Sequence, residues 1–88
     1  MALGQYEEAV VTLKKMLQIY GHDTLGAHIG LAANYIYLGR EEEARAEAAE
    51  VLRLNPKFSV DAYAKRLLFK DQSLTDKYID ALRKAGLK

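Results

Sequence analysis

The sequence predicts an all-α fold in which helices fold back on one another as antiparallel pairs. Apolar residues recur at i, i+3, i+4 and i+7 along most of the chain, which is the spacing of one helix face. Pro56 is the single proline, and the glycines Gly4, Gly21, Gly39 and Gly86 separate the periodic stretches. This punctuation divides the chain into about five helices.

Three helices are predicted in the first part of the chain, at about residues 5–20, 24–38 and 41–54. Gly21 and Gly39 suit the C-terminal caps of the first two, because glycine adopts the positive φ that such caps need. Asp23 is a good N-cap for the second helix. The third opens with the glutamates 41–43, whose charge suits the positive end of a helix dipole. It is predicted to bury Ala44, Ala48, Val51 and Leu52.

Two further helices are predicted in the last third of the chain. Ser59 suits the N-cap of a fourth helix that runs to about Phe69. Ser73, with Asp76 three residues later, resembles the capping box of a fifth helix, which Gly86 closes. The packing face of the fourth helix is predicted to hold Val60, Tyr63, Ala64 and Leu67. That of the fifth is predicted to hold Leu74, Tyr78, Ile79, Leu82 and Ala85.

Composition and charge argue against several classes of protein. Thirteen basic and twelve acidic residues leave a formal charge of +1, which gives no electrostatic basis for binding nucleic acid or an anionic membrane. The apolar runs fall short of the roughly 20 residues that span a bilayer, and the N-terminus lacks a signal-peptide pattern. The chain has no cysteine, which fits a reducing compartment. We therefore expect a cytoplasmic protein that binds neither nucleic acid nor membrane.

One segment of the chain occurs twice. Residues 3–9 (LGQYEEA) recur as residues 38–44 (LGREEEA), so that Gly4 and Gly39 stand 35 positions apart. A glycine in the turn permits the positive φ that folds two helices together. The alanine five residues later leaves room for close helix packing. The recurrence at two predicted helix starts indicates an internal helical repeat.

Residues 25–58 resemble the tetratricopeptide repeat, a pair of helices of about 34 residues. Six positions carry the residue that the family's pattern has there: Leu31, Ala32, Tyr35, Gly39, Ala44 and Pro56. Three positions depart from the pattern, since His28 stands at the usual Trp, and Ala48 and Val51 replace an aromatic residue and an Ala. The resemblance implies a TPR-like right-handed superhelix of antiparallel helix pairs.

On this resemblance the chain is a single domain, made of a half repeat (1–23), a full repeat (24–58) and a divergent capping pair (59–88). Because each repeat buries its apolar face against its neighbours, a chain that opens in mid-repeat is expected to be a fragment of a larger protein. Residues 69–71 and 82–87 also resemble the end of the repeat regions attached to bacterial class III adenylate cyclase-like proteins.

The sequence offers no set of residues for catalysis, for a metal or for a cofactor. His22 and His28 are the only histidines, and a metal site needs more ligands in better spacing. Gly26 and Gly30 lie inside a predicted helix and lack the strand and the following Lys of a phosphate-binding loop. Close packing and the approach of a ligand are both open explanations of these glycines. We expect a non-enzymatic chain with no cofactor.

The resemblance implies that partners bind on a concave surface lined by the first helix of each pair. Carried over to the full repeat, this surface consists of Gly26, Ile29, Gly30, Ala33, Ile36 and Tyr37. It is apolar, so the expected partner is a protein or peptide that offers an amphipathic helix or an extended apolar segment, with Tyr37 as an aromatic anchor. An alternative is that Ile29 and Ile36 pack against an adjacent repeat.

Two other functions are compatible with the sequence. The first is an oligomerisation or positioning segment of a larger regulatory enzyme such as a bacterial adenylate cyclase. In that case the unpaired first helix would form a homodimer through a self-complementary face: Tyr6, Val10, Leu13 and Leu17. The second is a small helical DNA binder that uses Lys65, Arg66, Lys77, Arg83 and Lys84. The near-neutral charge disfavours the DNA binder.

Overall fold

The computed structural model of the chain describes residues 3–66 and 72–88, which form α-helices joined by short turns. Five helices lie in these residues: α1 (Leu3–Tyr20), α2 (Leu25–Tyr37), α3 (Glu41–Leu54), α4 (Val60–Ala64) and α5 (Gln72–Lys84). The described residues contain no β-strand, and the predicted all-α fold is confirmed. The observed bounds of α1, α2 and α3 agree with the predicted ones to within two residues.

Glycines end α2 and α5 in the left-handed backbone region, with a φ of 75° at Gly39 and 108° at Gly86. After α2, the N–H of Arg40 donates to the carbonyl oxygen of Tyr35 (2.8 Å), and the N–H of Gly39 donates to that of Ile36 (3.0 Å). These two bonds form a Schellman motif, which satisfies the last carbonyls of the helix. The same pair of bonds ends α5. The predicted glycine caps are therefore confirmed.

Two of the predicted helix starts are wrong. The N-cap of α2 is Thr24 and not Asp23. The Thr24 hydroxyl donates backward to a carbonyl oxygen in the preceding turn (2.8 Å) and makes no capping bond. Helix α5 already includes Gln72, so Ser73 lies inside the helix and cannot be its N-cap. The first turn of α5 instead carries a side-chain bond from Gln72 Nε2 to Asp76 Oδ1 (3.0 Å).

Helix α4 is shorter than the sequence predicts. Ser59 is its N-cap as expected, because its hydroxyl oxygen accepts a hydrogen bond from the backbone of the first turn (3.3 Å). The helix ends at Ala64, since the N–H of Arg66 bonds to the carbonyl three residues earlier (2.9 Å) and tightens the chain into a turn. The remaining predicted positions of this helix, Leu67 and Phe69, lie outside the described residues.

Helices α1 and α2 pack against each other in antiparallel orientation. The ring of Tyr6 lies 4.7 Å from the ring of Tyr37 between centroids, and Leu13 lies against Gly30. The contacts therefore move towards the N-terminus of α2 as they move towards the C-terminus of α1, which is the antiparallel arrangement. A Cβ atom built on Gly30 would lie 2.9 Å from Cδ1 of Leu13, which is too close for two carbon atoms. Glycine at this position allows the two helices to approach closely.

Helices α2 and α3 form a hairpin across residues 38–40, so they too are antiparallel. Ala44 in the first turn of α3 is fully buried, and Ala48 and Val51 are buried as predicted. The predicted burial of Leu52 is wrong, since this side chain is 40% exposed on the outer side of α3. His28 on α2 is held to Glu47 on α3, with 2.6 Å between Nδ1 and Oε1. The small side chain of Ala44 and this polar contact fix the spacing of the hairpin.

Helix α5 packs across α2 and also contacts α4. The ammonium group of Lys77 lies 4.8 Å from the ring centroid of Tyr37 and donates a hydrogen bond to the Tyr6 hydroxyl (2.7 Å). Arg83 pairs with Asp61 on α4 at 2.6 Å. Leu74 is exposed, so it does not belong to the packing face predicted for this helix. Helix α2 therefore has neighbours on three sides, namely α1, α3 and α5.

A paired substitution tests the α2–α3 contact. Ala44→Leu should overpack this contact and lower the free energy of unfolding by about 1–3 kcal/mol, because Ala44 is fully buried. The matched control Ala46→Leu adds the same side chain to an exposed position of α3 and should cost less than about 0.5 kcal/mol. Urea unfolding followed by circular dichroism measures both changes. Equal losses in the two variants would contradict the packing described above.

Candidate functional site

The residues predicted to line the concave surface lie along α2 and differ widely in exposure. Three of them are buried, namely Ile29, Gly30 and Ala33. Ile36 and Tyr37 are half-buried, and Gly26 is exposed. Helix α5 packs beside the C-terminal part of this surface, since Lys84 lies near Ile36 and Lys77 lies near Tyr37. The open part of the surface is at the N-terminal end of α2.

The two glycines inside α2 have different surroundings. Gly30 is buried against Leu13 of α1, so close packing of helices accounts for it. A Cβ atom on Gly26 would meet nothing within 4 Å. Gly26 therefore leaves the backbone of the first turn of α2 accessible to another molecule, which helix packing does not require.

Tyr37, the predicted aromatic anchor, already has partners within the chain. Its ring contacts the ring of Tyr6 and the ammonium group of Lys77. Burial, together with the neighbouring groups Tyr6 and Asp80, raises the pKa of Tyr37 to about 12, so the phenol stays protonated at neutral pH. Because its ring contacts a ring of α1 and a lysine of α5, Tyr37 links α1, α2 and α5.

A cavity of about 290 Å³ opens at the N-terminal end of α2, between that helix, the α3–α4 loop and α4. We call it the α2–α4 cavity. Its lining consists of Leu25, Gly26, Ile29, Asn55, Lys57, Phe58, Ser59, Ala62, Tyr63 and Arg66. The rings of Phe58 and Tyr63 lie 5.6 Å apart between centroids and form one wall. Two residues of the predicted concave surface, Gly26 and Ile29, thus line the same cavity as residues from the next helical pair.

The comparison with protein families matches the family model described as tetratricopeptide repeat over residues 1–68. The chain belongs to the tetratricopeptide repeat family. The match covers more than half of the chain and includes α1 to α4. It stops before α5, so the resemblance of the last residues to cyclase-associated repeats stays a prediction. The searches of curated proteins and of solved structures found no match.

Eight of the ten lining residues of the cavity were not predicted for the concave surface, and the four with the largest side chains are Lys57, Phe58, Tyr63 and Arg66. Two of them belong to the loop after Pro56, and two belong to α4 or the turn that follows it. In a tetratricopeptide repeat the start of the next pair lies beside the first helix of the preceding pair. The position of the loop directly after Pro56 is therefore the feature of the sequence from which these site residues could have been predicted.

The face of α1 predicted for self-association is used inside the chain. Val10 and Leu17 are buried. Tyr6 and Leu13 are half-buried and contact Tyr37 and Gly30 of α2. The side of α1 that faces solvent instead carries Val11 and Ile19, which are 53% and 72% exposed.

A second cavity, of about 400 Å³, surrounds His28 between α1, α2 and α3. His28 is 4% exposed. Its Nδ1 lies 2.6 Å from Glu47 Oε1, and its Nε2 lies 2.7 Å from the carbonyl oxygen of His22. A carbonyl oxygen only accepts hydrogen bonds, and so does an ionised carboxylate, so both ring nitrogens donate when the ring is protonated. Lys14 and Glu50 also line this cavity.

These contacts favour the charged form of His28. Burial by itself lowers the pKa, but the hydrogen bonds to Glu47 and to the His22 carbonyl, with the charges of Glu47 and Glu50, outweigh it. The pKa of His28 is therefore raised above its usual value of 6.5. In the described residues no group of three or more His, Asp or Glu side chains converges as a metal site would. We interpret the pair as a structural link between α2 and α3.

Within the described residues, no helix combines the length and the apolarity that crossing a membrane requires.

The His28–Glu47 contact makes stability depend on pH. Because the folded state binds the proton more tightly, the stabilisation is complete below pH 6.5 and is lost as pH rises through the raised folded-state pKa. Glu47→Gln should flatten this dependence and cost about 1 kcal/mol at pH 6, because the glutamine oxygen still accepts the hydrogen bond but no longer carries a charge. The control is Glu42→Gln, at an exposed position of the same helix. Urea unfolding from pH 5.5 to 8.5 measures the free energy of unfolding of each variant. Parallel plots of this free energy against pH for the wild type and Glu47→Gln would contradict the role assigned to the His28–Glu47 contact.

Proposed function

We propose that the chain is a non-catalytic protein-interaction module that binds a peptide segment of a partner protein in the α2–α4 cavity. Membership of the tetratricopeptide repeat family supports a role in protein interaction. The observation that carries the proposal is that Gly26 and Ile29, two residues of the expected concave surface, line this cavity together with Phe58 and Tyr63.

The dimensions of the cavity suit part of a peptide better than a whole small molecule. Its volume of about 290 Å³ is at the lower limit of the roughly 300–1,000 Å³ of small-molecule sites. Such a space accommodates one or two bulky side chains while the rest of a peptide crosses the surface. Aromatic walls like that of Phe58 and Tyr63 are typical of the anchoring pockets of protein interfaces.

Helix α5 limits the contact to one end of the concave surface. Ala33 has no exposed surface, and Ile36 and Tyr37 lie beside lysines of α5. A partner that contacts Gly26 and the rings of Phe58 and Tyr63 does not have to displace α5. The proposed contact therefore covers the N-terminal part of the expected surface. Tyr37 links helices within the chain and does not contact the partner.

A mutation at the mouth of the cavity tests the proposal. Ala62 is exposed and lines the cavity, so Ala62→Leu should fill it without disturbing the core. Peptides selected from a random displayed library on the wild-type chain serve as probes, and fluorescence anisotropy gives their Kd. Ala62→Leu should weaken binding at least about tenfold, which corresponds to an anchoring side chain.

The control for this experiment is Ala46→Leu, which adds the same side chain to an exposed position on α3 outside the cavity. It should bind the selected peptides as the wild type does, and both variants should keep the wild-type melting temperature. Failure to select any peptide, or equal binding by the two variants, would count against the proposed function.

The second candidate is an oligomerisation segment, and exposed apolar residues on the outer side of α1 favour it. Val11 and Ile19 on that side are both exposed. A symmetric dimer through α1 would cover them. Sedimentation equilibrium should then show a concentration-dependent dimer for the wild type and a monomer for Val11→Lys combined with Ile19→Lys. A wild-type monomer at millimolar concentration would eliminate this candidate.

A further inference from the structure

We infer that the α2–α4 cavity selects an acidic peptide segment that carries a bulky apolar side chain. The inference rests on the proposed function, because it states the chemistry of the peptide that the cavity takes. It depends on the distribution of charge around the cavity and on the apolar character of its floor.

Two cations that line the cavity have no carboxylate partner among residues 3–66 and 72–88. Lys57 lies in the α3–α4 loop and Arg66 lies in the turn after α4, and both are exposed. Within the described part of the chain neither forms an ion pair. Arg40, Arg53 and Arg83, by contrast, each pair with a carboxylate within 3.0 Å. Lys57 and Arg66, which have no ion-pair partner within the described residues, therefore place two positive charges at the same cavity.

The lining adds no opposing charge. No Asp or Glu occurs among the described residues that line the cavity. The nearby carboxylate of Asp61 is engaged by Arg83 at 2.6 Å. The N-terminal end of α2, where Gly26 lies, contributes the positive end of a helix dipole with the same sign. An occupant with negative charge beside the apolar contact complements this distribution, and an occupant with positive charge is repelled.

The floor of the cavity explains why the occupant also needs an apolar side chain. Three half-buried lining residues offer aliphatic or aromatic surface, namely Leu25, Phe58 and Tyr63, whereas Ile29 is only 2% exposed. An inorganic anion or a nucleic-acid backbone would leave this surface in water, whereas a bulky side chain would cover it. The cations come from the loop and from the turn after α4. The positions of α2 itself, Ile29, Gly30 and Ala33, carry no charge.

Three labelled peptides test this chemistry with the full chain. The first carries Leu-Phe flanked on each side by three acidic residues, the second replaces Leu-Phe by Ala-Ala, and the third replaces every acidic residue by Lys. Fluorescence anisotropy at low salt should give a Kd for the first peptide at least about tenfold below those of the other two. Binding of the first peptide should weaken at 0.5 M NaCl, where screening is stronger.

Two substitutions at Gly26 distinguish the effect of a negative charge on peptide binding from the effect of a larger side chain. Space around Gly26 is open, so neither Gly26→Glu nor Gly26→Gln should destabilise α2, and an acidic residue in the first turn suits the helix dipole. Gly26→Glu should weaken binding of the first peptide at least about tenfold more than Gly26→Gln does. Arg66→Glu should weaken it as well, and Lys65→Glu, an equal change in charge at an exposed residue outside the cavity lining, should not.

The outcomes distinguish this inference from the proposed function. Equal binding of the acidic and the lysine peptides, when Ala62→Leu abolishes both, would overturn the acidic preference and leave the interaction module in place. Binding of a labelled single-stranded oligonucleotide that depends on Arg66, with no peptide bound, would overturn both. Equal effects of Gly26→Glu and Gly26→Gln would show that bulk and not charge governs the cavity, and would also overturn the inference.

Discussion

The burial of α2 between α1, α3 and α5 is the constraint on which the rest of the structure depends. Ala27, Leu31, Ala32 and Ala33 on this helix have no exposed surface. Small residues predominate there, and at Gly30 a Cβ atom would lie 2.9 Å from Cδ1 of Leu13, so a larger residue would require the Leu13 side chain to shift. The three neighbours are held by different means, with stacked rings on the α1 side, a buried histidine on the α3 side and a lysine from α5.

This enclosure also determines where the chain can bind another molecule. A helix covered on three sides is accessible where its neighbours stop, which for α2 is the first turn at Gly26. There the loop after Pro56, the short helix α4 and the turn that follows it supply aromatic rings and two cations that form no ion pair within the described residues. The proposed interaction surface is therefore built from two successive helical pairs, in the way that repeat proteins combine neighbouring units.

The sequence predicted most of the parts of the fold that depend on local signals, although the capping signals at Asp23 and Ser73 were misleading. Helical periodicity, the glycine caps and the small residue at Ala44 all follow from short stretches of chain, and the structure agrees with them. The path of α5 across α2 could not be predicted, because it depends on how two separate apolar faces fit. For the same reason the sequence identified Gly26 and Ile29 of the candidate site but did not place Lys57 or Arg66 beside them, because that depends on the path of the α3–α4 loop and on where α4 ends.

Native-state hydrogen exchange measured by NMR tests the central role of α2 most directly. If α2 is the enclosed core of the molecule, the amides from Leu31 to Tyr35 should exchange only through global unfolding, with a free energy equal to that from urea denaturation. The amides of α4 and of the outer turns should exchange through smaller openings. Exchange of the α2 amides at a lower free energy than those of α1 and α3 would contradict this account.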